Sequence, residues 1–360
     1  MIQNNYVFIM AGGVGSRFWP KSRNAYPKQF IDILGVGKSL LQLTYERFLG
    51  ICPVENIYIV TNNIYKELIK EQLPDIPEAN ILCEPSRNNT APCIAWSVFK
   101  VAAKDPNGCM IIAPSDHFIL KEDVFIRNVK QALAIAGTKD ALLTMGITPT
   151  RPDTGYGYIK FDKQEEDGLH AVVQFTEKPV IAKALEFLNS REYVWNAGIF
   201  IWKAAVAKEA LKNYAPEIYD LFNQGATLYN TDKEQAFIEE YYPKSPNISI
   251  DYAIMEKAQN VYTMPVDIGW SDLGTWASLY QVADKDVDGQ NVFAGGERHL
   301  EDTENCIIHV PNEKLAVIRG LKDFIVVDDR NVLLIYPKSA EQEIKKITET
   351  LKAQNRTLHL

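Results

Sequence analysis

The first half of the chain alternates short apolar runs with longer amphipathic stretches, and that pattern leaves few folds open. Residues 6–10 read as a buried strand that ends in a glycine loop. Further strands are predicted at 57–61, 81–83, 109–113 and 141–146. Helices are predicted between them at 63–73, 90–103 and 123–136, with Thr90 as N-cap of the second and Pro92 in its first turn. Strands alternating with helices mean βαβ units and a mostly parallel sheet. Ligands of such sheets bind beyond the carboxyl ends of the strands, so chemistry is expected in the loops that follow them.

Residues 151–285 are more mixed, with hairpin-like pieces at 155–161 and 171–176 and helical pieces at 181–189, 203–214 and 251–257. From 286 the pattern changes to Asp, Gly and Gln, then to short β-rich runs and a last amphipathic helix at 340–351. The expected division is a domain over 1–285 and a small β domain over 286–360. At 360 residues, two domains match ordinary domain sizes. Asp and Glu number 46 against 38 Lys and Arg, a net charge of −8. That balance argues against nucleic acid as a partner. The five cysteines form no CxxC motif and no His/Cys cluster, which fits buried thiols in a reducing cytoplasm. No signal h-region is present and no apolar run is long enough for a membrane span.

The strongest local signal runs from Met10 to Pro20. Ala11, Gly12, Gly13 and Gly15 follow a strand directly and let bare N–H groups approach an anion. Ser16 adds a hydroxyl and Arg17 a rigid fork suited to phosphate oxygens. Phe18 stands where a dinucleotide-binding fingerprint needs glycine, and no Gly-Lys-Ser/Thr follows. A plain strand-to-helix turn is the alternative. Lys28, after Pro27, is either a second phosphate ligand or a solvated lysine. The loop from Glu84 through Ser86, Arg87, Asn88, Asn89 and Thr90 either reads a nucleobase edge or caps the next helix. Ser115 and Asp116 end an apolar strand, where Asp116 either holds a phosphate-bridging divalent ion or caps a helix. Asp272 sits between Gly269 and Gly274 in a tight turn and is a second candidate metal ligand. Gly157, Glu177, Lys178 and Asn196 lie in segments whose Gly, aromatic and polar mix suits a sugar and its phosphate, as well as ordinary turns.

Taken in order, nine segments resemble the sugar nucleotidyltransferases, and most specifically the mannose-1-phosphate guanylyltransferase family. They are Ala11–Pro20, Tyr26–Phe30, Glu84–Pro92, Pro114–His117, Thr154–Ile159, Glu177–Pro179, Trp195–Gly198, Ser249–Lys257 and Gly269–Trp276. One irregularity is an extra Asn between Arg87 and Thr90. The resemblance implies an α/β fold. A Rossmann-like nucleotidyltransferase domain with a mixed, mostly parallel sheet would precede a small C-terminal β domain resembling a left-handed β-helix. It implies GMP transfer from GTP to mannose 1-phosphate, giving GDP-mannose and pyrophosphate, with Mg²⁺ or another divalent cation. Asp116 and Asp272 would hold that ion, and Arg17 and Lys28 would steady the triphosphate. The glycine loop, Ser115, Asp116 and the 84–92 loop would hold the nucleotide. Gly157, Glu177 and Asn196 would contact mannose, with Lys178 and Asp272 near its phosphate. A homodimer through the β tail is expected, and a single activity, since larger relatives carry a further isomerase domain. The rivals are a sister transferase using UTP, dTTP or ATP, and a catalytically silent sugar-nucleotide sensor.

Overall fold

A strand with apolar residues on both faces needs cover on both, and the first strand has it. β1 (Asn5–Met10) has four consecutive buried residues. A computed structural model describes residues 4–360 of the chain. In it β1 lies between two parallel neighbours, β2 (Ile57–Asn62) and β4 (Cys109–Pro114), with Val7 opposite Ile57 and Asn5 opposite Cys109. The other strands of this sheet are β3 (Ile81–Glu84), β5 (Leu142–Ile147), β6 (Tyr158–Glu166), β7 (Leu169–Thr176), β8 (Tyr193–Lys203) and β9 (Val261–Val266). Their spatial order is β3-β2-β1-β4-β8-β5-β9-β7-β6. Only β7 and β8 run against the rest, so the sheet is mixed but mostly parallel.

This sheet belongs to the first of two compact units, made of the chain through Gly12, Tyr45–Ser115 and Ile119–Trp270. Helix Thr90–Lys104 buries residues 91–101 in its core. Its N-cap is Asn89, not the predicted Thr90. The Asn89 side chain accepts the Thr90 N–H at 2.9 Å, at a φ of +67° that asparagine tolerates better than most residues. Thr90 is drawn elsewhere, its hydroxyl accepting the Ile250 N–H at 2.9 Å. The predicted helix at 251–257 is a single π-helical turn, Asp251–Met255.

The second unit combines Gly13–Thr44, Asp116–Phe118 and Ser271–Leu360. Its C-terminal strands stack as parallel coils. Val292, Ile307 and Ile325 lie side by side on one face, and Glu297–Glu301 pairs with Leu315–Arg319 on another. The result is a β-helix-like domain, closed by the antiparallel strand Val332–Pro337. Phe18, Trp19, Ile31, Ile33 and Leu40 of the N-terminal segment share one core with Leu273, Trp276, Ile307, Ile325 and Ile344. Polar ties add to it: Trp19 donates its indole N–H to the His359 carbonyl at 2.7 Å, and Arg23 donates to Asn331 and to the Asp329 carbonyl. The segment after the glycine loop is therefore folded on the tail of the chain.

The five cysteines are all free and buried. Among the described residues no helix is long and apolar enough to cross a membrane.

His309 is buried edge-on against Trp276, its Nε2 has no hydrogen-bond partner, and burial pushes its pKa down to about 3. The folded ring stays neutral, while the unfolded chain takes up a proton below the ordinary value of about 6.5. Stability is therefore lost as pH falls from about 6.5 toward 3. Between pH 7 and pH 5 the parent should lose about 2 kcal/mol more unfolding free energy than His309→Leu. Urea titrations at the two pH values measure this; equal losses contradict it.

Candidate active site

Lys28 is almost wholly buried, 3% exposed, and its ammonium needs compensation there. Three acceptors supply it, one for each N–H. The Asp116 carboxylate lies at 2.8 Å, the Asp272 carbonyl at 2.8 Å and the Leu273 carbonyl at 3.0 Å. Burial alone would raise the Asp116 pKa, but the Lys28 ammonium, helped by His117, holds it below the usual carboxylate range. The sequence resemblance assigns Lys28 to phosphate directly. In the structure its donors are committed, so its first task is to fix Asp116 and the 272–273 turn.

The glycine loop is shaped around this lysine. Gly15 has φ +66°, and a Cβ there would come within 2.5 Å of the Lys28 Cβ. Gln29 donates to the Gly13 carbonyl at 2.9 Å and Ser22 to the Val14 carbonyl at 2.5 Å, which pins the loop from the other side. Ser16–Phe18 then forms a 3₁₀ turn. The Asp272 turn is strained at Leu273, whose φ is +44° while its side chain is fully buried. The Gly274 N–H donates to Asp272 Oδ1 at 2.9 Å. Gly15, Ser16, Arg17, Lys28, Asp116, His117, Asp272, Gly274 and Lys345 line one cavity of about 330 Å³. The two carboxylates that the sequence could not join thus face one space.

In the first unit the other predicted residues take two places. Ala11 is held in the backbone ladder, giving its N–H to the Val60 carbonyl. A Cβ on Gly12 would lie 3.2 Å from Glu84 Oε2, so Gly12 and Glu84 are neighbours. Burial pushes the Glu84 pKa up to about 7, against the pull of the Tyr242 hydroxyl, which donates to it, and of Arg87. Arg87 donates to the Tyr65 hydroxyl at 2.9 Å. Asn88 is scaffold: its amide donates to the Ser245 carbonyl at 2.7 Å and its carbonyl accepts from Ser86 at 2.8 Å. With Asn89 capping the helix and Thr90 tied to Ile250, Asn88, Asn89 and Thr90 all take part in holding the fold. Ser115 is buried, its N–H donating to the Met10 carbonyl.

The second place gathers Gly157, Glu177, Lys178 and Asn196. A side chain at Gly157 would strike Glu177 Oε2 at 2.5 Å. Lys178 pairs with Glu177 at 2.5 Å. The Asn196 carbonyl oxygen accepts from Thr144 at 3.0 Å and from the Gly198 N–H at 3.1 Å, while its amide donates to Asp251 at 2.9 Å. Neither Asp251 nor Thr144 stands out in the sequence. Burial, and then Glu177, push the Asp251 pKa up to about 6. The signal available in the sequence is an acid inside the 249–257 segment, which forms a π-helical turn, a feature frequent at functional sites.

The nucleotidyl transferase family matches residues 6–289, and a mannose-phosphate isomerase/GMP-like β-helix domain matches 297–351. A putative mannose-1-phosphate guanylyltransferase of Vibrio cholerae serotype O1 is 39% identical over 97% of this chain and 74% of its own length. The mannose-1-phosphate guanylyltransferase of Escherichia coli K12 is 35% identical over 98% of this chain and 75% of its own length. The chain belongs to the mannose-1-phosphate guanylyltransferases. A solved structure of this fold, described as a mannose-1-phosphate geranyltransferase from Thermus thermophilus, superposes with a TM-score of 0.87. It is 29% identical and covers 97% of this chain and all of that one.

For this member of the family, Lys28→Met should remove the counter-ion of Asp116 and orphan two carbonyls. The expected loss is about 3 kcal/mol of unfolding free energy. A denaturation midpoint equal to the parent's contradicts the anchor role of Lys28.

Proposed function

We propose that this chain transfers GMP from GTP to α-D-mannose 1-phosphate, forming GDP-mannose and pyrophosphate. The observation that carries the proposal is the cavity where Arg17 and Lys28 face the same space as Asp116 and Asp272. A sugar phosphate is already anionic near neutral pH, so its oxygen attacks the α-phosphorus without a general base. The protein's work is positioning and charge neutralisation.

Arg17 leaves the glycine loop in a 3₁₀ turn, and its fork suits the oxygens of the leaving phosphates. Lys28 keeps Asp116 ionised and the 272–273 turn in place. Asp116 and Asp272 would hold Mg²⁺. Among the described residues no group of three or more His, Cys, Asp or Glu could do so. Two carboxylates fit a cation that keeps waters and phosphate oxygens as its remaining ligands. When bound, such a cation neutralises charge on the phosphates. Glu177 and Asn196 suit sugar hydroxyls, with Asp251 and Thr144 fixing the Asn196 amide. Lys178, 61% exposed along its side chain, is placed to trade Glu177 for a sugar phosphate. In the 84–92 loop, Arg87 and the backbone remain for the base beside Glu84.

Asp272→Asn and Asp116→Asn should each cut kcat by at least about a hundredfold with the far-ultraviolet circular dichroism unchanged. Extra Mg²⁺ should recover little of the loss. Parental kcat in both variants would remove the metal assignment.

A further inference from the structure

We infer that Lys345 is a phosphate-binding residue, carried to the cavity by the last α-helix of the chain, with the leaving pyrophosphate as its ligand. This rests on reading the cavity as the polyphosphate site. Lys345 lines that cavity together with Gly15, Ser16, Arg17, Asp116 and Asp272.

The helix that carries it is fixed, not draped. In Ile344–Ala353, Ile344 is fully buried, and Ile347 and Leu351 pack on the same core that holds Phe18 and Leu273. Lys345 follows Ile344, one step around the helix, and is exposed. The helix also packs on the Ser16–Phe18 turn. Just before it, Glu341 accepts the Ala277 N–H at 2.7 Å, in the first turn of helix Trp276–Val282. That helix begins immediately after the Asp272–Gly274 turn. One tether therefore sets the register between Lys345 and Asp272.

Charge supplies the reason. The Lys28 ammonium is spent on Asp116, and burial raises the Glu341 pKa although Arg17 lies close enough to oppose that rise. Arg17 alone is a small counterweight to a polyphosphate whose every group is anionic. Lys345 adds a second cation on a long flexible stem. Its present partner is Glu349 at 3.7 Å, both side chains more than half exposed. Such a pair is worth little, so exchanging it for phosphate costs little.

The test compares the full chain with Lys345→Gln, Lys345→Arg and, as a control on the same helix, Lys346→Gln. Initial rates are measured with Mg²⁺, GTP and mannose 1-phosphate, with and without added pyrophosphate. Lys345→Gln should raise the KM for GTP and the inhibition constant of pyrophosphate about fivefold to tenfold. The KM for mannose 1-phosphate should stay within about twofold, and Lys345→Arg should restore most of the loss. Identical constants for Lys345→Gln and Lys346→Gln overturn the inference, and so does a loss confined to mannose 1-phosphate. If the parent turns over no nucleotide, the reading of the cavity fails. Calorimetry of magnesium pyrophosphate then still decides: weaker binding to Lys345→Gln than to the parent supports the inference, and equal or absent binding overturns it.

Discussion

One buried ammonium organises the candidate phosphate site. Lys28 brings together three distant stretches of chain: its own loop, Asp116 at the end of an apolar strand, and the turn at 272–273. A buried charge is tolerated only when every donor is met, so the lysine dictates what surrounds it. Gly15 must lack a side chain, Leu273 must accept a positive φ, and Asp116 must stay ionised. Each exception to local preference in this region is resolved by the same contact.

The β tail is part of this device. The segment after the glycine loop takes its core from Leu273, Trp276, Ile307 and Ile325. The rigidity of Arg17 and Lys28 is thus inherited from residues far later in the chain. Catalysis by positioning needs such rigidity, because small displacements of charge cost much of the stabilisation. On the proposed reading, the tail supports the phosphate site through this shared core.

Much of this was legible in the sequence. The glycine loop and Asp116 announce themselves through residue type and position after a strand, and Asp272 through the glycines that flank it. The alternation of apolar runs gives the parallel strands. What escaped depends on contacts distant in sequence. β8, at Tyr193–Lys203, carries Asn196 and Gly198, a mix that suits a sugar as well as an ordinary turn or strand; in the structure they join a hydrogen-bonded cluster with Thr144 and Asp251. Asn88 and Thr90 look like free loop donors, yet Ser245 and Ile250 claim them. Lys28 reads as a phosphate ligand because its carbonyl acceptors carry no side-chain signature at all. Asp251 gains its importance from a neighbour, Glu177, that sequence spacing does not reveal.

The account stands or falls on nucleotide chemistry. The direct measurement is pyrophosphate release by the purified chain with Mg²⁺ and mannose 1-phosphate, with GTP, UTP, dTTP and ATP in separate wells. Release with GTP alone is the predicted result. Release with another nucleotide in place of GTP, or with none of the four, contradicts it.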